Sequence, residues 1–442
     1  MKAKFFGTDG IRGIVGEYPL TDEIVKKIAF ALSSQCSPGT SVLIGRDTRK
    51  SGEHLEHVLA SAFQSCGINV MLAGVVPTSG VSFLMTFYHA SYGIMISASH
   101  NPAVYNGIKI FGHDGLKLSA EQEHQIEEVL VVPLVQHPAG SGTIKTVSQE
   151  PYITFLTSLA HSQSHTSLKV VVDPGYGAAY AIAEEVYKKI GLAYSMIHHT
   201  PNGNNINKGA GSTHPEQLAS RVRESGADIG LAFDGDADRL ILVDEQGTIR
   251  DGDVILYVCG CFFAKNGLLE KNTIVGTVMS NGGFEQSLLK HNIALVRTPV
   301  GDAAVYDEIK KHGYSLGGEP NGHIFFPQEH CTGDAILTSL HILSIMQKTK
   351  QSLSQLCSDL MLYPQVLLNI PVHEKKELTS LPMLMKTIRE TEKSVGAHDR
   401  VLVRYSGTEN VLRVFVEGPE QTAVQKHADH IATVARQELG VA

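Results

Sequence analysis

The sequence predicts an α/β protein: three similar mixed α/β domains followed by a smaller C-terminal α+β domain. Three observations predict it. A strand, a glycine-containing loop, a helix and a second strand recur three times, each over about thirty residues, the size of a βαβ unit. Past Tyr363-Pro364 the pattern changes. The chain has 442 residues, more than one hydrophobic core supports and near a three-domain prior. On these patterns the domains are expected at 1–152, 153–250, 251–363 and 364–442.

Taken in order, residues 4–16 begin apolar and become a loop with glycine at 7, 10, 13 and 16. That spacing lets backbone amides approach a ligand, with Thr8, Asp9 and Arg12 as polar contacts, although glycine loops also serve as plain turns. Residues 22–34 read as an amphipathic helix capped by Thr21. The first repeat is a strand at 41–45, the loop Arg46-Asp47-Thr48-Arg49, a helix to residue 65 and a strand at 68–72.

Residues 93–96 are an apolar run that empties into Ser97-Ala98-Ser99-His100-Asn101-Pro102. Pro102 cannot donate a ladder hydrogen bond and biases Asn101 away from helix, so the strand must stop there. Ser99 therefore stands at a strand's carboxyl end, where ligands of open α/β sheets gather. A serine so placed can be a nucleophile or a phosphate carrier; the same residues also suit an ordinary Ser/Asn/Pro turn.

The second repeat is a strand at 168–172, the loop Asp173-Pro174-Gly175-Tyr176-Gly177, a helix to 190 and a strand at 192–197. Residues 201–215 are too polar for a core element, and a long loop in a compact domain is usually functional or disordered. Asp234-Gly-Asp-Ala-Asp-Arg239 follows an apolar strand and precedes another. Three carboxylates at i, i+2 and i+4 repel unless a cation neutralises them, and oxygen-only ligands on a short loop suit Mg²⁺. A calcium EF-hand reading fails, because Arg239 stands where that loop turns on glycine and 240–243 reads as a strand. A solvated acidic turn remains the plain alternative.

The third repeat is a strand at 273–278, the loop Ser280-Asn281-Gly282-Gly283, a helix to 291 and a strand at 293–296. Gly317-Gly-Glu-Pro-Asn-Gly-His323 carries Glu319, Asn321 and His323, a set suited to a sugar's hydroxyl or amino groups or to a tight turn between strands. Asp334 caps an apolar helix at 335–346. In the last domain, strands at 366–373, 401–404 and 412–417 accompany helices at 382–393 and 419–438. Between two of these strands, Arg404, Ser406, Gly407 and Thr408 form a guanidinium–hydroxyl–amide cluster that suits a phosphate, since Arg is its favoured bidentate partner.

A net charge of −8 argues against a general affinity for nucleic acid or an anionic membrane. No apolar run reaches a membrane span, and Met1-Lys2-Ala3-Lys4 is not followed by a signal-peptide core. The six cysteines contain no Cys-x-x-Cys pair. A reduced, cytoplasmic protein is expected. The twenty-one histidines contain no His-Glu-x-x-His; His161, His165, His198 and His199 are expected on solvated surfaces.

A serine at a strand end, a divalent-cation loop, a sugar-type loop and a separate phosphate clamp are together what phosphoryl transfer to a phosphorylated sugar needs. At this point the chain resembles the α-D-phosphohexomutase family over essentially its whole length. The stretches that carry the resemblance are Phe6-Gly-Thr-Asp-Gly-Ile-Arg-Gly13, Ile96 to Pro102, Asn205-Ile-Asn207 with Gly211-Ser-Thr-His-Pro-Glu216, Asp234 to Arg239, Gly317-Gly-Glu319, and Arg404 with Ser406-Gly-Thr-Glu409. The first of them and the Gly-Ser-Thr-His stretch point to the branch acting on glucosamine phosphates.

The resemblance implies four domains around a central cleft. It implies a phosphorylated Ser99 that binds one Mg²⁺ per chain together with Asp234, Asp236 and Asp238. It implies conversion of glucosamine 6-phosphate to glucosamine 1-phosphate through a hexose 1,6-bisphosphate. The catalytic set would be Ser99, His100, Lys109, Arg12, Arg239 and His323, with Lys109 or His323 the base and His100 orienting the phosphoserine. Glu319 and Asn321 would read the sugar, and Arg404, Ser406, Gly407 and Thr408 would hold the distal phosphate. The partner would be a small sugar phosphate, with neither nucleic acid nor membrane, and the protein a monomer or homodimer. Departures from the family pattern, namely Asn321 for serine, Ala303 for arginine, and Tyr405 and Asn410 for prolines, bear on sugar choice and loop rigidity. The rivals are a mutase of glucose or mannose phosphates, a Mg²⁺ phosphatase, and a non-catalytic sugar-phosphate-binding protein.

Overall fold

The computed structural model describes residues 5–7, 10–37, 39–132, 140–160, 167–394, 400–406 and 410–441. The chain divides into two compact units, Met1–Val278 with Val296–Ser358, and Met279–Leu295 with Asp359–Ala442.

The first unit holds a six-stranded sheet in the order Ile11–Ile14, Tyr105–Phe111, Tyr92–Ile96, Ser41–Arg46, Asn69–Val75, Ile144–Thr146. Ser41–Arg46 is parallel to both its neighbours, and Tyr105–Phe111 is antiparallel to both of its own. Helices Asp22–Ser34 and Gly52–Ser65 bury their apolar stripes on one face through Ile28, Leu32, Leu59 and Phe63. Thr21 caps the first of them by accepting from the Ile24 amide at 3.4 Å. Helix Thr78–Phe87 packs on the other face, so closely that a Cβ on Gly93 would stand 2.6 Å from Met85 Sδ. The strand expected to end at residue 72 continues to Val75, through a register shift after which Gly45 pairs with Gly74.

A second sheet runs Ile249–Arg250, Leu240–Asp244, Ile229–Phe233, Lys169–Asp173, Ala193–Met196. Its centre is an antiparallel hairpin in which Leu240 pairs with Phe233, and every residue of both strands is buried. That burial fixes the carboxylate-bearing turn between them. A third sheet carries the short strands Gly317–Gly318 and Ile324–Phe325, which bracket the Glu319-to-His323 turn. Asp334 caps helix Ala335–Thr349 by accepting from the Leu337 amide at 3.0 Å.

In the second unit, Gln365–Pro371, Val411–Glu417 and Arg400–Tyr405 form an antiparallel sheet with Val411–Glu417 central. Helices Pro382–Ser394 and Gln421–Leu439 supply the rest of its core, through Leu384, Ile388, Ala428 and Ile431. Among the described residues, no helix is long and apolar enough to cross a membrane.

Candidate active site

Ser99 is buried and held at φ 50°. This is the left-handed region that non-glycine residues enter at a cost of about 1–3 kcal/mol, so the surrounding structure must over-determine it. Its amide donates to Ser97 Oγ at 2.9 Å, and Ser97 Oγ donates to Asp47 Oδ2 at 2.6 Å. Its carbonyl accepts from Arg49 Nη2 and from Asn207 Nδ2, both at 2.8 Å. Its hydroxyl donates to Asp234 Oδ2 at 2.7 Å.

Asp234, Asp236 and Asp238 are all buried, and their ligating oxygens lie within 4.8 Å of one another. Burial first, then the charges of Asp238 and Asp236, push the Asp234 carboxyl well above the usual carboxylate range. Asp236 Oδ1 is buried and has no hydrogen-bond partner among the described residues. Repelling carboxylates, an orphaned oxygen and an all-oxygen donor set fit a hard divalent cation. Lys109 Nζ reaches Asp236 Oδ2 at 2.6 Å and Asp238 Oδ2 at 3.2 Å. Thr78 Oγ1 donates to Asp236 Oδ2 at 2.6 Å.

His100 Nδ1 accepts from Arg239 Nη1 at 3.0 Å and lies 3.3 Å from Ser99 Oγ. Burial, then the guanidiniums of Arg239 and Arg12, pull its pKa down to about 4, so the ring is neutral at pH 7 with Nδ1 as acceptor. Arg12 sits on the strand paired with Tyr105–Phe111, opposite Gly107.

The sugar-type loop is latched to the carboxylate hairpin, because the Leu240 amide donates to Gly322 O at 3.0 Å. Gly322 has φ 93°, and a Cβ there would stand 2.1 Å from Leu240 O. Glu319 is buried; its Oε1 accepts from the Gly301 amide at 3.0 Å and its Oε2 from Asn321 Nδ2 at 3.3 Å. His323 Nδ1 lies 3.7 Å from Asp238 Oδ2. A cavity of about 460 Å³ opens here, lined among others by Thr78, Lys117, Asp238, Asp302, Tyr306 and His323.

The structure therefore brings Ser99, His100, Lys109, Arg12, Arg239, His323, Glu319, Asn321 and the three aspartates together in the first unit. Arg404 and Ser406 lie in the second unit. Arg404 is paired across strands with Arg413. Ser406 is buried, and its amide donates to Val411 O at 2.8 Å. Gly407 and Thr408 lie outside the described residues, as do Thr8, Asp9, His161 and His165.

Residue-type reasoning missed three parts. Arg49 is fully buried and uses all five N–H groups, on Asp47 Oδ2 and on the carbonyls of Pro102, Tyr105, Ser99 and Asn101. Asn207 reaches the same loop from the long polar stretch. His198, expected on a solvated surface, donates to buried Asp173 at 2.9 Å with its side chain 14% exposed, because that carboxylate needs a partner; His199 is exposed.

Four segments of the chain match, in order, families described as phosphoglucomutase/phosphomannomutase domain I (3–131), domain II (150–247), domain III (251–363) and C-terminal domain (367–434). A phosphoglucosamine mutase of Levilactobacillus brevis is 44% identical, the alignment covering 99% of this chain and 100% of that protein. One from Geobacillus thermodenitrificans is 43% identical over 99% of both. Among solved structures, a phosphoglucomutase/phosphomannomutase family protein of Burkholderia thailandensis has a TM-score of 0.79 at 23% identity, covering 98% of this chain and 97% of that one. N-acetylphosphoglucosamine mutase of Aspergillus fumigatus, in complex with GlcNAc-6P and magnesium, has a TM-score of 0.70 at 17% identity, covering 98% and 96%. These two share the fold.

Proposed function

The chain belongs to the phosphoglucomutase/phosphomannomutase family, and from that premise we propose that it interconverts glucosamine 6-phosphate and glucosamine 1-phosphate through a phosphorylated Ser99 and a 1,6-bisphosphate. The observation that carries the reading is the Ser99 hydroxyl 2.7 Å from Asp234, at the edge of three buried carboxylates. The full-length relatives named phosphoglucosamine mutase support the choice of sugar.

Asp234, Asp236, Asp238 and an oxygen on Ser99 would hold Mg²⁺, which would supply positive charge to the phosphoryl group. Around it, Lys109, Arg12 and Arg239 offset the charge of the phosphate. Neutral His100 lies beside the Ser99 side chain and is a poor base, with its acceptor nitrogen already facing Arg239. When glucosamine 6-phosphate enters, the bond from phosphorus to Ser99 Oγ breaks and one to the sugar O1 forms. The O1 proton passes to His323, because Lys109, ion-paired to Asp236 and Asp238, acts here as a cation and not as a base. The bisphosphate then turns over, its O6–phosphorus bond breaks, Ser99 Oγ is rephosphorylated and the proton returns to O6. Glu319 reads the sugar's hydroxyl and amino groups with Asn321 fixing its carboxylate, and Arg404 with Ser406, Gly407 and Thr408 holds the idle phosphate. Each of the domains 1–152, 153–250, 251–363 and 364–442 thus supplies one part: carrier, metal loop, sugar loop and clamp. Charged sugar phosphates stay where they are made, which supports a cytoplasmic setting.

The test is intact-protein mass before and after incubation with a hexose 1,6-bisphosphate and Mg²⁺, with product assayed from glucosamine 6-phosphate. One added phosphate, absent in Ser99→Ala, with formation of the 1-phosphate, is expected. A wild-type mass equal to the unphosphorylated chain both before and after incubation rules out Ser99 as carrier. A charged enzyme that turns over mannose or glucose phosphates equally well would move the assignment to the broader mutases.

A further inference from the structure

We infer that Asn207 is a positioning residue: its amide, acting with Arg49, holds the backbone of the Ser99 loop in place during the part of the cycle when Ser99 carries phosphate. The inference rests on the phosphoserine reading above.

Two kinds of bond hold Ser99. One is the hydroxyl's hydrogen bond to Asp234 Oδ2 at 2.7 Å. It needs the hydroxyl proton, which a phosphate ester lacks, and an ester oxygen beside a carboxylate repels it. This anchor therefore exists only in the unphosphorylated enzyme. The other kind runs through the backbone and is indifferent to phosphorylation. The Ser99 carbonyl accepts from Arg49 and Asn207, and the Asn101 carbonyl accepts from the same two residues, at 2.8 Å and 3.1 Å. A residue at φ 50° gains by relaxing, so these donors, with Ser97 Oγ accepting from the Ser99 amide, keep the charged loop in register.

Arg49 is committed to that work alone. Its five N–H groups are all used and its charge is opposed by Asp47 at 2.8 Å, so it has nothing left for a phosphate. Asn207 is the donor that comes from elsewhere. It lies on the 201–215 loop, is buried to 7% exposure, and is itself at φ 59°. Its amide N–H donates to Gly175 O at 2.9 Å. The space leaves no room for drift: a Cβ on Gly235 of the carboxylate turn would stand 2.5 Å from Ser99 O and 3.0 Å from Asn207 Nδ2.

Asn207→Gly tests this, because glycine adopts φ 59° freely and only the side-chain amide is lost. The expected result is a kcat about 10- to 100-fold lower, the scale of one to two hydrogen bonds lost in the transition state. KM for glucosamine 6-phosphate should stay within about twofold and Tm near wild type, with phosphate loss from Ser99 to water rising per turnover. Asn207→Asp keeps shape and backbone tolerance but turns a donor into a negative oxygen facing two carbonyls. It should be worse than glycine, and it carries the test if Asn207→Gly does not fold. Wild-type kcat in both variants, or kcat falling only in step with Tm, overturns the inference and leaves the phosphoserine reading standing. A wild-type enzyme that a bisphosphate cannot phosphorylate at Ser99 overturns both.

Discussion

Asp173 shows how one carboxylate organises loops around the centre without touching it. Its Oδ1 accepts from the Gly175 amide at 2.9 Å, and its Oδ2 from the Gly211 amide at 3.0 Å and from His198 Nδ1 at 2.9 Å. Gly175 and Gly211 flank the path of Asn207, so the pair of Asp173 and His198 lies directly behind the loop that grips Ser99. The hydrogen bond to Asp173 raises the His198 pKa, against burial, which lowers it. The folded protein therefore binds this proton more tightly than the unfolded chain, whose histidine titrates at about 6.5. The pair's charge-assisted stability is fully present below that value and is lost as pH rises through the higher folded value. Thermal unfolding should show it: His198→Ala should cost more at about pH 6 than at about pH 9, by about 1 kcal/mol. A penalty that is flat or grows with pH would mean that the imidazolium form is not what Asp173 holds.

Between elements, the carboxylate turn is fixed by a buried polar chain. Thr78 at the start of helix Thr78–Phe87 donates to Asp236, and its neighbour Ser79 bonds the Tyr152 hydroxyl at 2.8 Å. Tyr152, on helix Glu150–Ala160, donates to Asp334 Oδ2 at 2.7 Å. Asp334 caps helix Ala335–Thr349, whose first amide donates back to Ala237 O at 3.1 Å. Three helices thus close a ring on one turn. Tyr152→Phe keeps the ring packing but strands a buried carboxylate oxygen, and should lower stability by about 1–3 kcal/mol in denaturant unfolding; a change within about 0.5 kcal/mol would mean that water replaces the hydroxyl. The same ring marks where sequence reading stops. The strand ends that present Ser99 and Asp234 to Arg239 are legible, since apolar runs broken by proline or acidic residues encode them locally. Helix caps at Thr21 and Asp334 are legible for the same reason. Tyr152, Arg49 and Asn207 are not, because their partners lie 182, 50 and 108 residues away, and nothing local separates a buried arginine from a solvated one.

At the scale of the whole chain, the charge balance and the division into two units bear on the same measurement. The net charge is −8, yet Arg12, Lys109 and Arg239 are gathered at one carboxylate cluster. All three aspartates lie in the first unit, while the second has its own sheet, helices and core. An ion that binds only the folded cluster stabilises by mass action, by about 2.7 kcal/mol at a concentration a hundred times its Kd. That gain belongs to the first unit. In calorimetry, Mg²⁺ should therefore raise the unfolding transition of the first unit and leave that of the second, followed through residues 359–442, where it was. Chelator should reverse the shift, and Asp236→Asn, which removes the orphaned carboxylate oxygen, should abolish most of it. Equal shifts in both transitions would mean that the units unfold as one. No shift in either would mean that Lys109, already on Asp236 and Asp238, neutralises the cluster by itself. In that event the charge on the transferred phosphoryl group would have to be met by Lys109, Arg12 and Arg239 alone.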